Sequence, residues 1–132
     1  MQQLGFYFSS CDLNPIRNEM NQRSATLGRI DRVQQMQFSR KEGVTLAYKD
    51  TGRGSPPMLF LHGCGCDHTH FAPEAEFFSC SHGIVSVDLH GHGSSDVPHQ
   101  NYRTAVFAGD LAWLCSELGL TKPIVVGHSI GY

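Results

Sequence analysis

Three short apolar runs each break into a glycine-rich segment, and this recurrence constrains the fold most. Met58-Leu59-Phe60-Leu61 runs into His62-Gly63-Cys64-Gly65-Cys66. Ile84-Val85-Ser86-Val87 runs into Asp88-Leu89-His90-Gly91-His92-Gly93-Ser94-Ser95-Asp96. Pro123-Ile124-Val125-Val126 runs into Gly127-His128-Ser129-Ile130-Gly131. Continuous apolar runs of this length suit parallel strands covered on both faces. The third run is therefore expected to be a central strand. It ends in Gly-x-Ser-x-Gly, the pattern of a sharp strand-to-helix turn that lifts a serine out of the sheet. Glycines two before and two after the serine leave room for that bend.

Helical patterns separate the runs. Phe71, Ala75 and Phe78 fall at i, i+4 and i+7, with Pro73 early, as at a helix start, and Ser81-His82-Gly83 closes the segment. Thr104 to Leu118 is the clearest helix. Phe107, Leu111, Leu114 and Leu118 form one stripe, and Gly119 sits where a C′ residue belongs. Before the first run, Val33 to Ser39 and Val44 to Lys49 read as two strands joined at Arg40-Lys41-Glu42-Gly43, an antiparallel hairpin at a sheet edge. Asp50 to Pro57 reads as a loop by composition. Residues 1–31 show neither period and are expected to be a poorly ordered extension, with 32–132 forming the ordered part.

Strand, strand, then strand–helix–strand–helix–strand predicts an α/β fold: a mostly parallel sheet with helices on its faces and an N-terminal antiparallel hairpin. In such sheets the chemistry lies beyond the carboxyl ends of the strands. The three glycine-rich loops follow three strands, so they should emerge at one end together.

Composition narrows the partners. A net charge of -2 supplies no basic field for nucleic acid or anionic lipid, and no apolar run approaches a membrane span. Five cysteines at uneven spacing (Cys11, Cys64, Cys66, Cys80 and Cys115) argue for thiols rather than a disulfide framework. The N-terminus lacks the positive region of a signal peptide, so a cytoplasmic location is expected.

The sequence resembles the first half of an α/β-hydrolase-fold protein, of the esterase, lactonase and perhydrolase-like group. The resemblance rests on Leu61 to Gly65, Val87 to Asp96 and Gly127 to Gly131, with Pro98, Tyr102, Ala108, Asp110-Leu111 and Leu118-Gly119 in matching places. It covers roughly residues 33 to 131. It implies that Ser129 is the nucleophile and that the backbone N–H groups of Cys64 and Ile130 form the oxyanion hole. Gly63, Gly65 and His128 would border a small acyl substrate. The chain departs from the family at His90, where arginine is commoner, and at Tyr132, where a small residue is usual. The family's acid and histidine follow the nucleophile and have no counterpart in these 132 residues. The polypeptide is therefore expected to be a truncated piece, poorly soluble and inactive alone.

His62, His90, His92, Asp88 and Asp96 lie in loops at the same end and are expected to fix those loops. Cys64-Gly65-Cys66-Asp67-His68-Thr69-His70 carries two thiols and two imidazoles, but each pair is separated by one residue rather than the two to four of zinc knuckles. No metal or cofactor is expected. A serine hydrolase acting on a carboxylic ester, lactone or similar acyl compound is the leading function. The alternative is a non-catalytic binding or interaction protein retaining the fold.

Overall fold

A computed structural model describes residues 35–99 and 102–131. The expected N-terminal extension, Cys11 and Tyr132 lie outside the described residues. The strands are β1 (Gln37–Lys41), β2 (Val44–Gly52), β3 (Met58–Leu61), β4 (Gly83–Val87) and β5 (Ile124–Gly127). A 3-10 turn at His68–Phe71 leads into α1 (Ala72–Phe78), and α2 is Thr104–Glu117. The sheet order is β1-β2-β4-β3-β5. β3 pairs in parallel with β4 and β5, whereas β2 pairs antiparallel with both β1 and β4.

The hairpin turn is tighter than the sequence suggests. Glu42 and Gly43 both have positive φ, 47° and 90°, so two residues make the turn. This geometry matches the twist of the flanking strands. Pairing therefore runs out to Lys41 opposite Val44. β2 also continues beyond its expected end. Its first half pairs with β1, and Tyr48 through Gly52 pair with β4. The loop-like composition of Asp50-Thr51-Gly52 conceals a stretch whose backbone is used by a distant strand.

The helices cover opposite faces, as alternation along β3 requires. Leu59 and Leu61 join Leu46, Tyr48, Val85 and Val87 under Leu114, with Leu111, Trp113 and Leu118 packed around them. Met58 and Phe60 join Ile84 on the other face, against Phe71, Ala75 and Phe78. The helical stripes thus turn toward the sheet the residues that their spacing picked out, with Phe107 and Leu114 buried. α2 ends on a Schellman motif. The Leu120 N–H reaches the Cys115 carbonyl and the Gly119 N–H reaches that of Ser116, at 2.8 and 3.2 Å, with Gly119 at φ 64°.

β5 departs from expectation. It pairs with β3 alone among the described residues, and Ile124 and Val125 are 43% and 54% exposed. An apolar run reports what a strand is suited to pack against. It does not report whether the described residues supply that cover, and here only Val126 packs onto the core.

Candidate active site

Leu61 sits opposite Val87 on one side and Gly127 on the other. The carboxyl ends of the three parallel strands are therefore level, and all three loops leave from one end of the sheet, as predicted.

The first loop turns immediately. The Cys66 N–H donates to the Gly63 carbonyl at 3.2 Å, and Gly65 takes φ 74° within that turn. Cys64 is exposed, and its N–H has no hydrogen-bond acceptor among the described residues. Asp67 then caps the 3-10 turn. Its Oδ1 accepts from the Thr69 hydroxyl at 2.6 Å and the Thr69 N–H at 2.8 Å, which holds its carboxyl below the usual range.

Buried His62 joins the first loop to the second. Its Nδ1–H donates to the Gly63 carbonyl at 2.8 Å, and its Nε2 accepts from the Leu89 N–H at 3.0 Å. Both nitrogens are occupied, and burial pushes its pKa below the ordinary value. Buried Asp88 is a second link. It accepts from the His68 N–H at 2.5 Å, from the His68 Nδ1 at 2.9 Å and from the Ser94 N–H at 2.8 Å. Asp96 ties this loop to β2, accepting from the Thr45 N–H at 2.8 Å. His90 lies buried, flat against Phe107 at 4.4 Å, with its Nδ1 2.5 Å from Asp110. The loop-fixing roles expected of His62, His90, Asp88 and Asp96 agree with these bonds.

The third loop holds Ser129 at φ 57°, a left-handed conformation that serine adopts at a cost. The side chain is exposed just beyond β5. The His128 N–H still donates to the Leu61 carbonyl at 3.0 Å, so the ladder runs up to the residue before the serine. Gly63 is pressed against this elbow. A Cβ there would lie 2.7 Å from His128 Nδ1 and 3.2 Å from Ser129 Cβ. Glycine suits this position, since a Cβ would have to displace the His128 ring and crowd Ser129. Ile130 follows the serine in a short 3-10 turn, Ser129–Gly131.

A family description, the alpha/beta hydrolase fold, matches residues 56–131, more than half of the sequence and all three loops. The chain belongs to the alpha/beta hydrolase fold family. Among curated relatives, it is 38% identical over 88 residues to a 2-(acetamidomethylene)succinate hydrolase of Mesorhizobium japonicum, covering 67% of this chain and 31% of that protein. It is 32% identical over 104 residues to the dihydrolipoyllysine-residue acetyltransferase component of an acetoin cleaving system of Cupriavidus necator, covering 79% and 28%. Among solved structures, a haloalkane dehalogenase loop variant from Bradyrhizobium elkanii superposes with a TM-score of 0.68 at 30% identity, covering 74% of this chain and 33% of that one. An epoxide hydrolase from Vigna radiata gives 0.69 at 25% identity, covering 74% and 32%. The chain spans about a third of the length of the relatives it matches.

Within this hydrolase-family fold, the sequence-predicted site residues Gly63, Cys64, Gly65, His128, Ser129 and Ile130 all belong to the two loops that meet at Gly63. The residues weighed as a zinc set do not assemble. Among the described residues, the group of three ligand-type side chains within 4.8 Å of one another is Asp67, His68 and Asp88, and these are engaged with Thr69, Ser94 and each other. A cavity of about 370 Å³ opens under the 3-10 turn and α1, lined by Lys49, Thr51, His68, Glu76 and Ser86, and it includes no residue of the elbow. Sequence reasoning assigned no site role to His70, whose ring stacks on that of His128 with centroids 5.0 Å apart. No motif marks such a pair, because the two residues are far apart in the chain.

Proposed function

We propose that this chain carries the nucleophile and the oxyanion-binding loops of a serine hydrolase acting on carboxylic esters, lactones or related acyl compounds. The observation that carries this reading is Ser129 in the left-handed conformation at the carboxyl end of a parallel strand. Strained, exposed residues of this kind cluster at functional sites.

The names of the relatives and structural neighbours include a 2-(acetamidomethylene)succinate hydrolase, an acetyltransferase component, a dehalogenase and an epoxide hydrolase. The nucleophile atom chooses among these chemistries. A serine oxygen that opens an epoxide or displaces a halide becomes an alkyl ether, which water does not cleave at neutral pH. The same oxygen attacking a carbonyl becomes an ester, which water can release. A hydroxyl at the elbow therefore supports acyl chemistry.

In the proposed cycle, Ser129 Oγ loses its proton to a general base and bonds to the carbonyl carbon. The N–H groups of Cys64 and Ile130 hold the resulting oxyanion, a contribution of about 2.7–4 kcal/mol per donor. Collapse expels the protonated leaving group. Water then attacks the acyl-serine and restores the hydroxyl. Gly63 and Gly65 keep the first loop close to the substrate, and His128 borders it. The base is proposed to be the histidine that the family resemblance places after the nucleophile; His62, His68 and His90 are engaged in the loops. No cofactor or metal takes part, and the substrate is a small molecule. No described helix is long and apolar enough to cross a membrane.

A fluorophosphonate ester tests this reading. Its phosphorus should form a bond to Ser129 Oγ with loss of fluoride, detected by mass on the Ser129 peptide and lost in Ser129→Ala. An unmodified Ser129 in native full-length protein would favour the non-catalytic binding reading.

A further inference from the structure

His70 and His128 differ from the other histidines packed in this fold. His62, His68, His82, His90 and His92 each place a ring nitrogen against a carboxylate or a backbone group. The rings of His70 and His128 have no hydrogen-bond partner among the described residues, although both are exposed at the carboxyl end of the sheet. They are nevertheless held in place. Their planes are inclined by 25° in a stack. His70 also meets Phe71 edge-on at 4.8 Å, and Phe71 packs on buried Phe60 at 5.3 Å. A line of rings thus runs from the core to His128, which precedes Ser129 and shares with it the close approach to Gly63.

The acids of this neighbourhood are already committed. Asp67 is bonded to Thr69, and Asp88 to His68 and Ser94. Two stacked imidazoles beside Ser129, with free donors and no acid among the described residues to satisfy them, are complementary to an anionic oxygen group.

We propose that His70 and His128 form a subsite for a carboxylate carried by the acyl substrate, so that the preferred substrates are half-esters or other acyl compounds bearing a second, ionised carboxyl group. This assignment of substrate class rests on the serine-hydrolase reading above. The carboxylate accepts ring N–H donors of the pair, which leaves the reacting carbonyl to Ser129 and the N–H groups of Cys64 and Ile130. His70 has no part in bond making and acts in recognition alone.

The test is a binding measurement and does not depend on turnover. The imidazole C2–H resonances of His70 and His128 are followed while the protein is titrated with monoethyl succinate, an anion, and with diethyl succinate, its neutral counterpart. Both resonances should shift saturably with the monoester, at a dissociation constant at least tenfold below that of the diester. His70→Phe keeps a ring in the stack and removes its donors. It should weaken the monoester about tenfold and leave the diester unchanged. His70→Leu, which likewise has no donor, serves the same purpose if the phenylalanine variant does not fold. The proposal is overturned by the absence of a saturable shift, by equal affinity for the two esters, or by variants that weaken both alike. Fluorophosphonate labelling separates the two readings. A labelled Ser129 without carboxylate preference overturns the subsite alone, and carboxylate preference with an unreactive Ser129 overturns the hydrolase reading alone.

Discussion

The φ of 57° at Ser129 has an energetic consequence independent of chemistry. A residue with a Cβ is strained there by about 1–2 kcal/mol, and glycine is not. Ser129→Gly should therefore raise the unfolding free energy by about 1 kcal/mol, whereas Ser129→Ala, which keeps the Cβ, should leave it nearly unchanged. Urea denaturation of the two variants checks this. Instability confined to the elbow would appear as a gain with glycine only. His62 carries a different signal. Burial lowers its folded pKa below the ordinary 6.5. Below that pH the unfolded chain takes up a proton that the folded chain resists. The contribution of neutral His62 to stability is full above about pH 6.5 and is lost as pH falls through the lowered folded value. Melting temperature should fall between pH 7.5 and pH 5, and His62→Asn should flatten that part of the profile. Asp67 and Asp96 act in a lower window. Their hydrogen bonds depress their pKa values, so their contributions persist above the ordinary carboxylate range and fade only in stronger acid.

At the scale of elements, α2 couples the core to the loop after β4. Its inner stripe buries Phe107 and Leu114, and Asp110 on the same helix holds His90. The helix has no side-chain cap at Arg103, so its start depends on packing, while its end is defined by the Gly119 motif. Gly119→Ala places a Cβ in the left-handed region and should cost about 1 kcal/mol. Nothing else lies within 4 Å of that Cβ position, so the loss would be a backbone effect alone. Chemical denaturation would show it, and an unchanged midpoint would contradict the assigned cap.

For the molecule as a whole, the open edge of β5 is the dominant liability. A strand with exposed Ile124 and Val125 and no outer partner among the described residues is a template for pairing between chains. The 132-residue polypeptide should self-associate at micromolar concentration, and Val125→Lys, which charges the outward face, should shift it toward monomer. Sedimentation velocity on both proteins decides the point; identical monomeric profiles would show that the edge is covered.

Much of this fold was legible because local pattern carries it. Continuous apolar runs gave three strands, helical stripes gave two helices, and chain order placed three loops at one end of a parallel sheet. Ser129 was legible for the same reason, since a tight turn needs its glycines within a few residues. What local pattern lacks is the identity of distant partners. Asp50 to Gly52 resembles a loop until β4 arrives beside it. The site histidines cannot be ranked from their neighbours in sequence either. His62 is occupied by Leu89, 27 residues away, and His68 and His90 by acids 20 residues away, which leaves His70 and His128 with unused donors. The sequence by itself determined the α/β class, the sharp turn at Ser129 and the loops that meet it, because these depend on short-range spacing. Only the tertiary structure decided the strand order, the exposure of β5 and which polar groups remain free, because burial and hydrogen-bond partners are set by segments remote in the chain.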